Sequence, residues 1–202
     1  MSRALPAQQL AELLSTALAG ACEDADRGAK LGNIHYNRSR NFLRHLTAGF
    51  RAVYSKADGF NVFAGGDHDN RRDFNRNEYL YDLSVYECGR VPEGYWGAGL
   101  SYVRRAVWQV ESEFERTRRA AMADFNKLVL GSGDNKLFVC SRTKSEEAFL
   151  EPLGFPAAHA TGRVYAAVLP HPAKWKTTSP FVHLWQWGGD EINGVKSWGR
   201  LD

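Results

Sequence analysis

The chain has 202 residues, of which 44% are hydrophobic and 24% are charged, with 19 glycines and seven prolines. This is the composition of an ordinary globular protein, and it excludes a disordered, collagen-like or low-complexity chain. The formal net charge of +3 permits a polyanionic partner but does not require one. A chain of this size buries roughly 70% of its unfolded surface, so we expect one folded unit that needs no structural metal.

The three cysteines, Cys22, Cys88 and Cys140, lie far apart and show no metal-ligand spacing. This pattern predicts neither a disulfide framework nor a zinc site, and it favours a reducing compartment. The N-terminal residues do not resemble a signal peptide, and no later stretch approaches the ~20 apolar residues of a membrane span. We therefore expect a soluble, cytoplasmic protein.

The N-terminal part of the chain is predicted to be helical. Leucines recur at helical spacing between residues 10 and 18, which predicts a helix that ends near Gly20. An acidic and polar connector leads to a second helix at 38–54. The Asp58-Gly59 turn then begins a short strand at 60–64, and the very polar loop at 67–77 is expected to be exposed.

Two longer strands are predicted at 78–87 and 106–114, joined by a segment rich in glycine and aromatic residues. We expect an antiparallel hairpin whose turn lies at 94–99, because directly opposed residues then share a face. One face pairs Tyr79 with Phe114, Tyr81 with Ser112, Leu83 with Val110, and Val85 with Trp108. This apolar face is predicted to be part of the core.

The opposite face of this hairpin brings three carboxylates together. Asp82 opposes Glu111, and Glu113 lies one step of ~7 Å further along the strand. Opposed like charges destabilise a strand pair unless a positive group lies between them. Mg²⁺ takes oxygen ligands, commonly one or two carboxylates with waters and phosphate oxygens, so these acids form a candidate site for Mg²⁺ or Mn²⁺. The spacing also leaves open a solvent-facing strand on which Asp82 is simply hydrogen-bonded.

The remaining pattern predicts an α/β fold, a mixed central sheet flanked by helices and extended or covered by C-terminal strands. A helix is expected at 115–130 with Ala121, Phe125 and Leu128 buried, followed by a parallel strand at 136–140. A short helix at 145–151 and strands that begin near Gly162 and Phe181 follow. We expect one domain, 1–202, with a core at 38–140, a helical N-terminal extension at 1–37 and an α/β extension at 141–202.

The order of these elements resembles the PD-(D/E)XK nuclease superfamily and its restriction-endonuclease-like fold. The likeness rests on a strand with one acid (YLYDLSVYE), a strand with acid-x-acid (WQVESEF), a helix, and a parallel strand (KLFVC), about half of the chain. The ESEF motif followed by Phe125-Asn126-Lys127-Leu128 is similar to a subgroup in which glutamate replaces the motif lysine. The resemblance implies a metal-dependent endonuclease, in which Asp82 and Glu111 bind Mg²⁺ and Glu113 orients or deprotonates the attacking water.

The departure from the motif bears on catalysis, because Glu113 cannot neutralise the transition state as an ammonium group would. A second metal compensates, or Lys127 on the helix supplies the cation, or catalysis has been lost. The alternative function is therefore a non-catalytic regulator that binds nucleic acid or protein on a nuclease-like scaffold.

Arginines near the proposed site strands are candidates for contacts with nucleic acid, with DNA favoured over RNA. Phosphate contacts of this kind would give affinity without sequence preference. These arginines are Arg71, Arg72, Arg76, Arg104 and Arg105. A homodimer is compatible with this interpretation.

Three other groups of residues point less specifically to a functional role. Tyr95 and Trp96 either stack on a base or cover the sheet edge. The loop at Asp67-His68-Asp69 is more typical of a solvated turn than of a metal site. The C-terminal tryptophans are expected to lie in the core or in an oligomer contact, and they are Trp185, Trp187 and Trp198.

Overall fold

The computed structural model describes residues 5–27, 34–66, 68–115, 117–175, 180–192 and 195–201. It is an α/β fold in which one mixed sheet carries helices on both faces. The helices are α1 (Ala7–Arg27), α2 (Ile34–Val53), α3 (Arg71–Phe74), α4 (Arg118–Leu130), α5 (Glu146–Leu150) and α6 (Gly154–Ala157). Within the described residues, no helix is long and apolar enough to cross a membrane.

The described residues form seven strands, which lie in the sheet in the same order as in the chain. They are β1 (Phe60–Ala64), β2 (Leu83–Arg90), β3 (Ser101–Glu113), β4 (Asn135–Ser141), β5 (Arg163–Leu169), β6 (His183–Ile192) and β7 (Val195–Arg200). The central strands β3, β4 and β5 are parallel, as predicted for the strand at 136–140, and the other pairs are antiparallel. The carboxyl ends of β3, β4 and β5 therefore meet at one end of the sheet.

Helices α1 and α2 pack on the first face of the sheet, where they form the larger core. The helix predicted at 38–54 is confirmed as α2, which begins a turn earlier at Ile34. The prediction that the first helix ends near Gly20 is wrong, because α1 continues to Arg27. Gly20 is a point of close approach, since a Cβ there would lie 2.7 Å from the imidazole of His45 on α2.

The predicted apolar face of the hairpin is confirmed where the two strands pair. Leu83 opposes Val110 and Val85 opposes Trp108, and all four side chains are fully buried in the first-face core. The indole Nε1 of Trp108 donates to the hydroxyl of Tyr54 at 2.9 Å. Beyond Val85, bulges shift the register, so the predicted pairing does not continue to the hairpin turn.

The predicted pairings of Tyr79 and Tyr81 are wrong, because β2 begins at Leu83 and not at residue 78. Tyr81 belongs, with Phe125, to the core cluster on the other face of the sheet from Leu83, which we call the second face. The chain before Leu83 therefore leaves the strand geometry in which alternate residues share a face.

Helices α4, α5 and α6 cover the second face of the sheet. The buried side of α4 is the predicted one, Ala121, Phe125 and Leu128, but the helix begins at Arg118, because the hydroxyl of Thr117 caps it by accepting from Ala120 N. Strand β7 was not predicted and extends the sheet beside β6. The prediction that the C-terminal tryptophans lie in the core is confirmed for Trp185 and Trp198, and Trp187 packs partly buried against them.

The sequence predicts that the loop at 67–77 is exposed, and this is only partly correct, because the described part of the loop folds back over the second face and buries Asn70. Phe74 and Tyr79 pack edge-on or tilted against Phe63 of β1, with ring centroids 5.1 and 4.9 Å apart. Asn70 is buried and donates to the carbonyl of Val62 at 2.7 Å. The loop thereby satisfies a backbone acceptor on the free edge of β1.

Candidate active site

Asp82 lies immediately before β2, at the end of the sheet where β3 finishes. Its Oδ2 accepts from the backbone N–H of Ser112 at 2.8 Å and from the Ser112 hydroxyl at 2.6 Å. The Asp82 carboxylate thus accepts from the backbone N–H of Ser112, which would bind a main-chain carbonyl if β2 extended further. This contact fixes Asp82 against β3, beside the predicted partner strand.

Glu111 lies on β3 and is almost completely buried, with 1% of its surface exposed. Its Oε2 accepts from Lys127 Nζ of α4 at 3.1 Å. Its Oε1 is shielded from solvent and has no hydrogen-bond partner among the described residues. Burial, and next the charge of nearby Asp82, raise the pKa of Glu111 from 4.5 to about 8, although Lys127 opposes the shift.

Helix α4 places a cation and a further acid above Glu111. Lys127 Nζ lies 3.1 Å from Glu111 Oε2 and 2.7 Å from Asp124 Oδ1, and its side chain is 48% exposed. Burial lowers the pKa of Lys127, but its hydrogen bonds to Asp124 and Glu111 outweigh this effect and raise the pKa above its usual value. Lys127 therefore stays charged, faces solvent with part of its length, and bridges two carboxylates.

Glu113 shares a strand face with Glu111, as its i+2 spacing requires, but it has different partners. Its Oε1 accepts from the backbone N–H of Glu115 at 2.6 Å. Burial raises the pKa of Glu113, and a hydrogen bond with Asp124 adds to the shift, while the Glu115 N–H opposes it. The network therefore runs from Asp82 and Glu111 through Lys127 to Asp124 and Glu113.

The predicted three-acid metal site does not form in this geometry. Across the described residues, no group of three or more His, Cys, Asp and Glu side chains is placed to hold a metal ion. Asp82 and Glu111 are a neighbouring pair, and the second oxygen of Glu111 lacks a hydrogen-bond partner within the described chain. Two carboxylates fit Mg²⁺ when waters and substrate phosphate oxygens complete its coordination.

Asp124 is the member of this network that the sequence analysis missed. It lies three residues before Lys127 on α4, a spacing that puts two side chains on one helix face. That spacing was the signal available in the sequence. Its contact with Glu113 depends on how α4 lies across β3, which the sequence does not specify.

The loop that contains Asp67, His68 and Asp69 shows no metal-binding arrangement in its described part. Asp67 lies outside the described residues. His68 Nδ1 is 3.1 Å from the amide nitrogen of Asn77, and Asp69 pairs with Arg51 at 3.0 Å. The described side chains thus have partners within and beside the loop.

Arg71, Arg72 and Arg76 are exposed on the loop between β1 and β2. Arg71 and Arg76 line a polar pocket of about 310 Å³ together with Gly66, Asn75, Asn77 and Glu78. The carbonyl of Asn77 accepts from Ala64 N, and Ala64 pairs with Leu83, the neighbour of Asp82. The pocket is therefore anchored at the end of the sheet where the acids lie.

Arg104 and Arg105 do not lie beside the acids. They precede Glu111 on the same strand by seven and six residues, which corresponds to roughly 20 Å or more at strand spacing. Arg105 pairs with Glu87 at 2.9 Å and with Asp134 at 2.6 Å. Arg104 is exposed and lies over the ring of Tyr102, with its guanidinium carbon 5.8 Å from the ring centroid.

Tyr95 and Trp96 lie at the turn of the β2–β3 hairpin, with 70% and 99% of their surfaces exposed. They do not cover the edge of the sheet, because the edge strands of the sheet are β1 and β7. Trp96 precedes Glu111 by 15 residues. The structure therefore places these rings at the far end of the hairpin from Asp82.

Comparisons with known proteins leave the family open. No protein-family profile matches the chain, and no curated protein matches it. Its structure is similar to that of NucC from P. aeruginosa in a cAAA-bound form, with a TM-score of 0.46 and 10% sequence identity. The similarity covers 96% of this chain and 84% of that chain. We therefore infer the function of the site from its own residues.

Proposed function

We propose that this protein is a metal-dependent nuclease that hydrolyses phosphodiester bonds of nucleic acids with an activated water. The observation that supports this proposal most strongly is the environment of Glu111. This buried carboxyl group neighbours Asp82, contacts Lys127, and has one oxygen without a hydrogen-bond partner among the described residues. A buried carboxyl group with an oxygen that lacks a hydrogen bond is costly for a purely structural role, whether it is protonated or ionised.

Asp82 and Glu111 are the residues that would hold Mg²⁺ or Mn²⁺. A bound dication stabilises charge on the phosphoryl oxygens and lowers the pKa of a bound water. Asp82 is already oriented by Ser112, so it is preorganised for an oxygen-ligating role. Glu111 must lose its proton to act as a ligand, so binding should strengthen as the pH rises towards about 8.

Lys127 takes the place of the lysine that the motif lacks at Glu113. Its ammonium group lies 3.1 Å from Glu111 and is partly exposed, so it can also face a phosphate. In the reaction, the water oxygen bonds to phosphorus and the water gives a proton to Glu113, while the bond to the leaving sugar oxygen breaks and that oxygen takes up a proton from solvent water. Lys127 stabilises the negative charge of the transition state.

Glu113 is the proposed acceptor of the proton from the attacking water. Its pKa is raised by burial and by Asp124, and a raised pKa makes a carboxylate a better base near neutral pH. Asp124 orients Lys127 and Glu113 through contacts with both.

The exposed arginines of the β1–β2 loop are the proposed phosphate contacts nearest to the acids, with DNA as the preferred substrate over RNA. Arg71 and Arg76 share a polar pocket at that end of the sheet. Arg104 and Arg105 would reach only a substrate that extends along the hairpin. A homodimer remains part of the proposal.

A cleavage assay on the Glu111→Gln variant tests this function. The wild-type chain should cut DNA in the presence of Mn²⁺ or Mg²⁺, and Glu111→Gln should lose at least about a hundredfold in rate, because a carboxylate ligand is gone. The matched control is Glu93→Gln, which changes an exposed glutamate in the hairpin turn and should cut as the wild type does. If purified wild-type protein cuts no DNA or RNA with either metal, the nuclease proposal fails.

A non-catalytic nucleic-acid- or protein-binding regulator is the second candidate function. The observation that favours it is the orientation of Glu113, whose carboxylate is engaged by the Glu115 N–H and by Asp124 and not by the Asp82–Glu111 pair. Affinity for nucleic acid that depends on salt but not on metal would support this candidate. Metal-dependent cleavage that disappears in Glu111→Gln would exclude it.

A further inference from the structure

A second concave site lies on the same face of the sheet as the acids but on other strands. It is a groove of about 1120 Å³ between the α5–α6 segment and strands β5 to β7. None of its lining residues belongs to the acid network, which lies on the residues before β2, on β3 and on α4. The groove therefore needs its own explanation.

Tryptophans give the groove a flat apolar lining. Trp185 and Trp198 are buried, Trp187 is partly exposed, and Phe155 is 77% exposed. The rings of Trp187 and Trp198 meet edge to face, with centroids 5.6 Å apart. Gly154 brings α6 directly onto Trp187, since a Cβ there would lie 2.6 Å from the indole ring. Indole surfaces of this kind suit a planar aromatic ring.

Two donors of β7 in the lining have no acceptor within the described part of the chain. They are the indole N–H of Trp198, a residue with 9% of its surface exposed, and the hydroxyl of Ser197. A buried donor that lacks an acceptor is uncommon and costs free energy. A hydrogen-bond acceptor on a ligand that settles into this lining would satisfy one of them.

The charges of the rim are divided between the two walls. Lys196 of β7 is exposed on the side of the sheet and shares a strand face with Trp198, two residues further along, and Glu147 and Glu151 are exposed on the side of α5. An anionic group is complementary to the sheet side and is repelled by the α5 side, so the charges favour one orientation of a ligand.

We propose that this groove binds a small molecule made of a planar aromatic ring and one anionic group. The ring packs on Trp187 and the anion pairs with Lys196. Two kinds of molecule share this chemistry, a nucleoside monophosphate and an aromatic carboxylate. The proposal is independent of the nuclease function, because it uses none of the residues of the acid site.

Calorimetric titration of the full chain with adenosine monophosphate and, separately, with 2-naphthoate tests the proposal. We expect one of the two to bind at a single site. Lys196→Ala should weaken that binding about tenfold or more through the lost ion pair, and Trp187→Leu should weaken it by a similar factor. Arg119→Ala and Trp96→Ala are the controls, since both residues are exposed outside the groove, and they should bind as the wild type does.

The titrations with the two ligands distinguish a nucleotide site from a site for aromatic acids. Binding of adenosine monophosphate alone assigns the site to nucleotides, and binding of 2-naphthoate alone assigns it to aromatic acids. The proposal is overturned if neither binds at millimolar concentration, or if adenosine or inorganic phosphate binds as tightly as the aromatic anion. It is also overturned if Lys196→Ala, which replaces an exposed side chain and should fold normally, leaves the affinity unchanged.

Discussion

The pKa of the Glu111 carboxyl group depends on opposing influences. Burial and the charge of Asp82 favour the protonated form, whereas Lys127 favours the ionised form, and burial dominates to set the pKa at about 8. Because the folded state holds this proton more tightly than the unfolded chain does, Glu111 makes the free energy of unfolding fall as the pH rises from about 4.5 to about 8. Above that range, the ionised group is equally charged in both states and the loss is complete.

This linkage predicts the effect of Glu111→Gln on stability. The wild-type free energy of unfolding should decrease between pH 5 and pH 8.5, and the variant should lose most of that decrease, because glutamine does not titrate. Urea denaturation at several pH values measures both slopes. Equal slopes in the two proteins would contradict the pKa of Glu111 given above.

Lys127 lowers the pKa of Glu111 and therefore affects the pH at which Asp82 and Glu111 are both ionised. Removing the ammonium group in Lys127→Gln should raise the pKa of Glu111 further, so the midpoint of Mn²⁺-induced thermal stabilisation should move up by about one pH unit. The Lys127→Arg variant keeps the charge and is the matched control, with an expected midpoint near that of the wild type. A midpoint that does not move in Lys127→Gln would show that Lys127 and Glu111 are not coupled.

The sequence predicted part of this network at the level of single residues. Glu111 and Glu113 share a face because every second residue of a strand does, and the Leu83–Val110 register put Asp82 next to Glu111. The direction of each carboxylate was not predictable, because it depends on contacts with Ser112, Lys127 and the Glu115 N–H. Those contacts are set by the position of α4 and by the chain after β3.

At the scale of elements, the beginning of β2 shows why strand prediction failed before Leu83. The alternation of apolar residues continues through Tyr79 and Tyr81, but Asp82 accepts from Ser112 N and ends the ladder with a side chain. Tyr81 then crosses to the second-face core, where its hydroxyl donates to the carbonyl of Lys127 at 3.3 Å. Periodicity alone does not reveal such a replacement of a backbone partner.

The contact between α1 and α2 gives a test at the same scale. Gly20→Ala should destabilise the protein by about 1–3 kcal/mol, because its methyl group would collide with His45. Helix propensity alone predicts the opposite sign, since alanine favours a helix by about 1 kcal/mol over glycine. Thermal unfolding of Gly20→Ala in a His45→Ala background is the control, and there the substitution should be neutral or stabilising. A loss of the same size in both backgrounds would rule out the collision.

At the scale of the whole molecule, the sheet carries the acids and the basic loop to one end. The strands follow the order of the chain, so the loop from β1 leads back to Asp82 beside the end of β3. The parallel placement of β4 was predictable from the helix between it and β3. Strand β7 was not predictable. It follows β6 closely in the chain, and its sequence shows no clear alternation of apolar and polar residues.

This arrangement predicts how nucleic acid binding depends on salt. If Arg71 and Arg76 contact phosphates as proposed, the double variant Arg71→Ala/Arg76→Ala should bind DNA more weakly and reduce the slope of log affinity against log salt by about two. Arg119→Ala should leave the slope unchanged. Fluorescence anisotropy at several salt concentrations measures it, and an unchanged slope in the double variant would place the phosphate contacts elsewhere on the molecule.

Asp82 and Glu111 are proposed to hold a divalent cation together. A crystal structure of the full chain grown with Mn²⁺ above pH 8 tests this proposal, because Glu111 is then ionised. We predict anomalous density between the two carboxylates, with oxygen ligands at about 2.0–2.6 Å. A structure in which Lys127 still bridges Glu111 and Asp124 and no Mn²⁺ contacts Asp82 or Glu111 would contradict the proposal.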